Sequence, residues 1–490
     1  MQENNLFRKR INLFDGVSIV AGAMIGSGIF IVSADIARSV GSPGWLMMVW
    51  LITAVITVIG AVSYGELASM MPRVGGQYVY LKEAYHPLIG FLFGWTTFLV
   101  IQCGTIAAVA VAFAKFSGVL FPWISERNIL IAAGPLKVNS TMVVAISLIM
   151  FLTWINTLGI VTGKTIQNIF SSTKVLALLG VIAIGLFATN KIDSWEINKA
   201  VFWEASKVNP GGGIIPLAGF ALVAAIGTAL VGSLFSSDAW YTVTYVSGEV
   251  INPKRTLPIS LIFGTILVSA LYMLINYVYI RILPLSGSPE GTDVLSRGIQ
   301  FATDDRVATS AMSVVFGDYA AIIMAVFIMI STFGCNHSLI LTSPRVYYAM
   351  AKDGLFFKKV AEINRHGVPG FATVIQGIWA ILLCLTGTYS NLLDYVIFAV
   401  LIFFSLTISA IFVLRVKRPD IPRPYKAFGY PVVPAIYILI TVSIMIILLI
   451  YKPNYTFPGL VIVLLGIPVF YVWRRWNPGG AMPENEEQEN

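Results

Sequence analysis

Charged residues are scarce in this chain of 490 residues, and their scarcity indicates its class. Asp, Glu, Lys and Arg make up 11% of the sequence, whereas soluble globular domains carry about 25%. Hydrophobic residues make up 57%, and the mean hydropathy is +0.81. This composition predicts an integral membrane protein embedded in the lipid bilayer. The net charge of +8 requires no nucleic-acid partner.

Residues that carry enzyme chemistry are also rare. The chain has three His and three Cys, without a Ser-His-Asp set, a metal-ligand cluster or a phosphate-binding loop. All three cysteines lie in apolar segments, which predicts small packing residues rather than a disulfide or a metal site. We therefore expect no enzyme, no cofactor and no bound metal.

Long apolar segments are what the sequence has in abundance. A membrane-spanning helix needs about 20 mostly apolar residues. The segments that qualify are twelve: 12–38, 43–70, 88–118, 140–158, 164–188, 213–246, 256–283, 317–350, 370–388, 392–415, 431–451 and 457–476. The predicted fold class is therefore all-α, with twelve transmembrane helices. Most Lys and Arg residues fall in loops on the N-terminal side, which predicts a cell-membrane protein with cytoplasmic N- and C-termini.

The first span contains three glycines within seven residues, Gly22, Gly26 and Gly28. Each glycine weakens a helix by about 1 kcal/mol relative to Ala, and a broken helix in hydrocarbon must face protein or a cavity. A break here would aim several amide N–H groups at one place, which suits a carboxylate. Gly-x-x-x-Gly is also a helix-packing motif, so the glycines alone leave both interpretations open.

The sixth span carries a second interruption, at Phe235-Ser236-Ser237-Asp238-Ala239-Trp240. Interrupted spans at matching positions of two halves are typical of transporters built from inverted repeats. Because the interruptions are five spans apart, an odd number, the second repeat would enter the membrane from the opposite side. The predicted organisation is a cytoplasmic tail 1–11, a first repeat 12–188, an external loop 189–212, a second repeat 213–415, two added helices in 416–476 and an acidic cytoplasmic tail 477–490.

Lys174 is the most informative charge in the spans. It lies about ten residues into the fifth span, or about 15 Å at 1.5 Å per residue, which is too deep for easy snorkelling. Ionisable residues inside the membrane usually have a function and a partner. Lys174 either holds backbone carbonyls together or occupies the place of a cotransported cation, as a fixed charge or a titrating one.

Two further spans carry polar side chains of interest. Asp238 either caps the restarted half of span six or faces a ligand, where it would favour an amino group or a cationic side chain. Phe235, just before it, either closes over a bound ligand or belongs to the core. In span eight, Asn336 and His337 predict interhelical hydrogen bonds, with a substrate or proton role as the alternative.

Several stretches taken together resemble one transporter group. They are GAMIGSGIF, SYGELASMMPRVGGQYVYLKEAY, FSSTKVLAL, LFSSDAW, STFGCNHSLILTSPRVYYAMAKDGLF and RPYKAFGYPVVP. In this order and at these spacings, the chain resembles the amino acid–polyamine–organocation transporters over nearly all of 10–476. It is closest to a bacterial-type member of the L-type amino acid transporter branch. The resemblance implies two inverted repeats of five helices, with spans one and six unwound, and transport by alternating access.

The resemblance also implies roles for residues of the two interruptions. Amide groups that would hold a substrate carboxylate belong to Gly26, Ser27 and Gly28. Carbonyl groups that would bind its α-amino group belong to Met24, Phe235 and Asp238. The external gate would be Phe235, and the pocket would include Ser236, Ser237 and Trp240. Lys174 matches a family lysine that replaces a sodium site, which implies Na⁺-independent exchange or proton coupling.

The chain departs from the family pattern near the side-chain pocket. The family's sixth span often reads Phe-Ala-Tyr-(Asp/Gly)-Gly-Trp, whereas Ser236, Ser237 and Ala239 stand here at the Ala, Tyr and second Gly positions. In span eight, His337 and Ser338 replace the usual Asn and Gly, so Asn336 and His337 are candidate pocket residues. These departures predict a pocket that is more polar than one for large apolar amino acids.

The predicted function is therefore Na⁺-independent transport of small or polar neutral L-amino acids, as an exchanger. The alternatives are a proton-coupled symporter, a carrier of cationic amino acids or polyamines selected by Asp238, and, remotely, an amino-acid sensor without transport. Animal members of the branch join an accessory glycoprotein through a Cys in the second external loop. The loop 119–140 has no Cys, so no disulfide-linked heavy chain is expected.

Overall fold

A computed structural model describes residues 7–133, 136–188, 193–208, 214–385 and 389–476. The predicted acidic tail 477–490 lies outside these residues, as do residues 1–6 of the predicted N-terminal tail and parts of the loop 189–212.

Helices make up most of the described chain. They are α1 (Leu13–Met24), α2 (Ser33–Val40), α3 (Pro43–Met70), α4 (Gln77–Ala84), α5 (Pro87–Thr96), α6 (Gln102–Leu120), α7 (Ser140–Asn156), α8 (Ile160–Ala188), α9 (Trp195–Ala200), α10 (Gly219–Ser236), α11 (Pro253–Ile282), α12 (Val294–Arg297), α13 (Val307–Phe316), α14 (Tyr319–Thr342), α15 (Pro344–Lys352), α16 (Gly370–Leu385), α17 (Tyr389–Lys417), α18 (Val432–Tyr451) and α19 (Pro453–Trp476). Short 3-10 turns include Gly28–Phe30, Trp240–Thr244 and Ser247–Glu249, and Thr97–Ile101 forms a π-helical turn between α5 and α6.

Nine of the helices or joined helix pairs in the described residues are long and apolar enough to cross a membrane. The shorter apolar helices α1, α7 and α16 coincide with the predicted first, fourth and ninth spans. The first and sixth spans are both interrupted, five spans apart, as the predicted inverted repeat requires. The all-α membrane fold class is therefore confirmed.

Local chemistry explains where several helices begin. At the start of α1, the Asn12 side chain accepts from the Asp15 amide at 2.9 Å, and the Asp15 carboxylate accepts from the Asn12 amide at 2.8 Å. This reciprocal capping box satisfies two amides at the helix start. Pro344 divides the predicted span 317–350 into α14 and α15, because proline has no amide hydrogen to continue the helical ladder.

Two short pairs of strands lie at the predicted loops 119–140 and 189–212, and the second pair extends into the predicted sixth span, 213–246, whose helix begins only at Gly219. Strands β1 (Ile129–Ala133) and β2 (Leu136–Asn139) pair antiparallel, as do β3 (Ser206–Val208) and β4 (Ile214–Pro216). Backbone N–H and C=O groups need partners wherever water does not supply them. The paired strands supply these partners to each other, so these backbone groups need no partner from a transmembrane helix.

The N-terminal side of the bundle, meaning the end at which α1 begins, is closed by polar contacts. Ile11 forms a parallel β-bridge with Val250, just beyond the sixth span. Asp15 forms an ion pair with Lys164 at 2.8 Å, which ties α1 to α8. Deeper in, α11 packs along α1, α3 and α8, while α14 packs along α1, α6 and α8. These packings bring the interruptions of the first and sixth spans together.

Candidate functional site

The two interruptions lie side by side in the middle of the bundle. Helix α1 ends at Met24 and the chain resumes as α2 at Ser33, while α10 ends at Ser236. A Cβ atom added to Gly28 would lie 2.1 Å from Ser236 Oγ and 3.2 Å from Ser236 Cα. Only glycine therefore allows the two interruptions to approach this closely.

Gly22 serves the other role that the glycine motif allows. A Cβ atom at Gly22 would lie 1.8 Å from Gln167 Nε2 and 2.3 Å from Ser171 Oγ, both on α8. The Gly22 position is thus a close helix-packing contact, whereas Gly26 and Gly28 belong to the interruption itself. The packing interpretation of the motif therefore applies at Gly22, whereas the ligand interpretation at Gly26 and Gly28 stays a prediction.

Lys174 is buried at the interruption of the first span. Its Nζ atom donates to the carbonyl oxygens of Gly22 at 2.6 Å, Ile25 at 2.8 Å and Ser331 at 3.2 Å. The last carbonyls of a helix have no amide partners within that helix, so Lys174 satisfies groups left open where α1 ends. The ammonium also joins α8, α1 and α14 at one point.

Other side chains satisfy the remaining carbonyls of this interruption. Cys335 Sγ contacts the Ala23 oxygen at 3.1 Å, and the Tyr272 hydroxyl lies 3.0 Å from the Met24 oxygen. Ser331 Oγ lies 3.1 Å and 3.0 Å from the oxygens of the next two residues, Ile25 and Gly26. Each of these carbonyl groups therefore has at least one donor within hydrogen-bond distance.

The amide groups of the same interruption are not. The N–H groups of Gly26, Ser27 and Gly28 meet no acceptor within the described ranges of the chain. Gly26 and Gly28 are partly exposed, and a Cβ atom at Gly26 would lie 3.5 Å from Cys335 Sγ, an ordinary contact. Three open amides on consecutive residues form an arrangement that can accept a carboxylate. Their assignment to a substrate carboxylate stays a prediction.

The interruption of the sixth span differs from the prediction in one respect. The helical turn after it begins at Trp240, with Ala239 at the N-cap position and no side-chain capping bond. The predicted capping role of Asp238 is therefore wrong. Ala239 has a left-handed backbone, with φ of 66°, and this one residue stands between Asp238 and the start of the helical turn at Trp240.

The Asp238 side chain is buried beside a small cavity. Its Oδ1 atom has no hydrogen-bond partner within the described residues. The cavity has a volume of about 20 Å³, and its polar lining comes from Thr57, Ser237, Asp238, Trp240 and Tyr437. A space of this size holds about one water molecule.

The carbonyls predicted to bind an amino group are in different states. The Phe235 oxygen accepts from the Asp238 amide at 3.2 Å. The Met24 oxygen accepts from Tyr272. The Asp238 oxygen accepts no hydrogen bond from the parts of the chain that the structure describes. At least one of the predicted carbonyls is thus free for a ligand.

The predicted gate and pocket residues separate into two groups. Phe235 is half-buried beside the interruption, and Ser236 Oγ donates back to the Gly232 oxygen at 2.9 Å. Trp240 is instead 2% exposed and packs edge-to-face on Tyr64 at 4.9 Å, within an aromatic cluster. The structure therefore places Trp240 in packing, whereas Phe235 stays a candidate gate.

The two polar residues of span eight, Asn336 and His337, differ in their hydrogen bonding. His337 Nδ1 lies 3.1 Å from Gln167 Oε1 on α8, which confirms the predicted interhelical hydrogen bond. Both amide atoms of Asn336 are buried without a partner among the described residues. Neither residue contacts the interruptions through a hydrogen bond that the structure records, so their pocket role stays a prediction.

The sequence does not identify three residues as parts of the site: Tyr272, Ser331 and Cys335. A hydroxyl or thiol inside an apolar span is commonplace, and its partner lies on another helix. The spacing of Ser331 and Cys335, four residues apart on one helical face, is the one signal that the sequence offers. No three or more His, Cys, Asp or Glu side chains come together as metal ligands within the described ranges.

Comparisons with known proteins identify the family of the chain. The sequence profile of the family described as "Amino acid permease" matches residues 11–472. The chain is 28% identical to human b(0,+)-type amino acid transporter 1 over 470 residues, which cover 95% of this chain and 87% of that protein. It is 30% identical to human large neutral amino acids transporter small subunit 2 over 475 residues, covering 96% and 81% respectively.

Proposed function

The chain belongs to the amino acid permease family, and from this premise we propose that it carries small or polar neutral L-amino acids by Na⁺-independent exchange. Membership in a family of permeases confirms that the chain is a transporter rather than an enzyme. Similarity to amino acid transporters along nearly the whole chain supports amino acids as the general substrate class.

The observation that carries the proposal is the pairing of open donors and open acceptors. Within the described residues, the amides of Gly26, Ser27 and Gly28 have no acceptor, and the Asp238 carbonyl in the second interruption has no donor. An amino acid zwitterion offers a carboxylate to amides and an ammonium to carbonyls. Two helix ends meeting in the middle of a bundle are where transporters of this architecture bind substrate.

Lys174 supports independence from sodium. Carbonyl oxygens are suitable ligands for a small cation, and the Lys174 ammonium already occupies the oxygens of Gly22, Ile25 and Ser331. All three of its hydrogens have acceptors. A charge held in this way acts as a permanent substitute for a bound cation, which favours exchange over a titrating proton carrier.

The side chains around the interruptions support a polar substrate. Ser236 lies against Gly28, and Cys335 lies against Gly26. A hydroxyl and a thiol beside the open amides favour a polar substrate over a large apolar one.

Sidedness and partners complete the proposal. The closed end, where Ile11 meets Val250, is the cytoplasmic face by the distribution of Lys and Arg. The repeats are residues 12–188 and 213–415. The relative named as a small subunit belongs by that name to a larger assembly. This chain has no Cys in 119–140 and is proposed to work without a disulfide-linked heavy chain.

Uptake of labelled serine into proteoliposomes tests the proposal. Vesicles contain either buffer or unlabelled alanine, with choline in place of sodium. Strong stimulation by internal alanine is the expected result. Filling of empty vesicles only under an inward proton gradient would replace exchange with proton symport. A lack of serine uptake in every condition would refute the proposed substrate class.

A second candidate, transport of cationic amino acids, has its own observation. Asp238 presents a buried carboxylate oxygen without a partner in the described chain. An uncompensated buried carboxylate favours a cationic ligand. Competition by arginine, but not by alanine, against labelled serine would favour this candidate. Asp238→Asn would then abolish arginine competition, whereas Asp35→Asn, at an exposed position on α2, serves as the matched control.

A further inference from the structure

The Tyr272 hydroxyl touches both interruptions at once. It lies 3.0 Å from the Met24 oxygen, where α1 ends, and 3.1 Å from the Ser236 oxygen, where α10 ends. A tyrosine hydroxyl has one hydrogen to donate. It therefore satisfies one of these two carbonyls at a time, and the other is left without a donor.

The neighbouring donors do not supply the missing hydrogen. Lys174 uses its three hydrogens on other carbonyls, and Cys335 uses its thiol hydrogen on the Ala23 oxygen. The Ser331 hydroxyl serves the carbonyls after Met24. Within the described residues, no donor other than the Tyr272 hydroxyl is recorded for the Met24 oxygen or for the Ser236 oxygen. The site is thus one hydrogen short at the junction of the two interruptions.

We propose that Tyr272 is a positioning residue for the α-ammonium group of the substrate. It holds the Met24 and Ser236 carbonyls at one spot, and the ammonium supplies the hydrogen that the hydroxyl lacks. When the ammonium binds the Met24 oxygen, the Tyr272 hydrogen turns to the Ser236 oxygen. This inference rests on the proposed function, and it makes selectivity for the amino group a property of α11.

The ring of Tyr272 is held rigidly enough for this task. The residue is 2% exposed, and its ring packs edge-to-face on Trp50 at a centroid distance of 5.5 Å. The hydroxyl therefore cannot swing away to another acceptor without moving the ring. Phenylalanine keeps the ring and its contact with Trp50 while it removes only the hydroxyl.

Tyr279 supplies a matched control from the same helix. It lies seven residues further along α11, on the same face. Its hydroxyl contacts the Ile29 oxygen at 3.4 Å and no second carbonyl that the structure records. Tyr279→Phe removes an equivalent buried hydroxyl near the first interruption without touching the Met24–Ser236 junction.

Inhibition of serine exchange by three acids tests the inference. Alanine, lactate and propionate share a carboxylate and differ in carrying an ammonium, a hydroxyl or neither. In the wild type, alanine should inhibit best, and lactate should inhibit better than propionate because its hydroxyl supplies one hydrogen. Tyr272→Phe should weaken inhibition by alanine at least tenfold and leave that by propionate unchanged. Tyr279→Phe should preserve the wild-type order and ratios.

The outcomes separate the two proposals. If wild-type protein does not bind alanine, the proposed function fails. Suppose that it binds alanine. If Tyr272→Phe then weakens inhibition by alanine and by propionate equally, or weakens inhibition by neither acid, the role of Tyr272 is overturned. If Tyr272→Phe does not fold, the wild-type protein alone still tests the inference. Lactate that inhibits no better than propionate would show that the junction of the two interruptions does not lack a hydrogen.

Discussion

The Lys174 ammonium lies 2.8 Å from the carbonyl oxygen of Ile25, at the point where the first span has no helical amides left to offer. The same ammonium reaches Gly22 O on the last turn of α1 and Ser331 O on α14. A single cation therefore replaces part of the helical hydrogen bonding that the interruption removes. Lys174 thus stabilises the interruption by donating to carbonyl oxygens that have lost their helical amide partners.

Removing this cation should create a sodium response. Lys174→Ala leaves three carbonyl oxygens and the Ser331 hydroxyl around an empty space, and oxygen ligands of this kind bind hard cations. We expect the variant to lose at least about 2 kcal/mol of stability and to be stabilised by Na⁺ more than by choline. Thermal unfolding in detergent, with and without Na⁺, measures both effects.

The control for that experiment is Lys164→Ala. Lys164 lies on the same helix and pairs with Asp15 near the N-terminal end, away from the interruption. It should show no specific response to Na⁺. If Na⁺ stabilises wild type, Lys164→Ala and Lys174→Ala equally, Lys174 is not a cation substitute.

The contact between Gly28 and Ser236 predicts a loss and a rescue. Gly28→Ala places a methyl group 2.1 Å from Ser236 Oγ and 2.8 Å from its Cβ. Overpacking of this kind costs about 1–3 kcal/mol of stability, so Gly28→Ala should lower the midpoint of thermal unfolding and reduce serine exchange. Ser236→Gly removes both clashing atoms and leaves Cα at 3.2 Å. The double variant should recover serine exchange, and continued inactivity would show that the clash is not the cause.

The sequence predicted the interruptions but not what surrounds them. Glycine spacing in the first span and the polar run in the sixth are local signals, and local signals report helix weakness. The donors to the open carbonyls come from α8, α11 and α14, up to about three hundred residues away in sequence, as the separation of 312 between Cys335 and Ala23 shows. Lys174 was found because its charge is expensive in a membrane. Tyr272 is uncharged, so its place in a membrane span does not single it out in the sequence.

Asp238 shows how a local rule fails when the backbone turns. Ser-Ser-Asp before an aromatic helix start is a typical N-cap pattern. The pattern assumes that the helix begins directly after the polar residue, but Ala239 adopts a left-handed conformation first. Alanine rarely adopts this conformation, so no propensity argument from the sequence predicts it.

The left-handed Ala239 gives a stability prediction. Ala239→Gly relieves a backbone conformation that costs an L-residue about 1–2 kcal/mol, so it should raise the midpoint of thermal unfolding. Ala229→Gly, a buried position within α10, should lower stability by about 1 kcal/mol. If both substitutions lower the midpoint, the Ala239 methyl group contributes more through packing than its backbone costs.

Arg345 and Glu249 form a buried ion pair on the N-terminal side of the bundle. Their side chains are 0% and 1% exposed, and their charged groups lie 2.8 Å apart. Arg345→Met leaves an uncompensated buried carboxylate, which costs about 3–5 kcal/mol. Glu66, also buried, has two arginine partners, at 2.7 Å for Arg415 and 3.5 Å for Arg423.

The two pairs therefore serve as controls for each other. Arg415→Met should cost only about 1.5 kcal/mol, because Glu66 keeps Arg423 and the Ala427 amide at 2.7 Å. Adding Glu249→Gln to Arg345→Met should recover part of the loss, since it removes the stranded charge. Thermal unfolding of the single and double variants decides the matter. Equal losses of stability for Arg345→Met and Arg415→Met would contradict the prediction. They would mean that the number of partners left to the buried glutamate does not set the loss of stability, and that helix packing around Arg345 sets it instead.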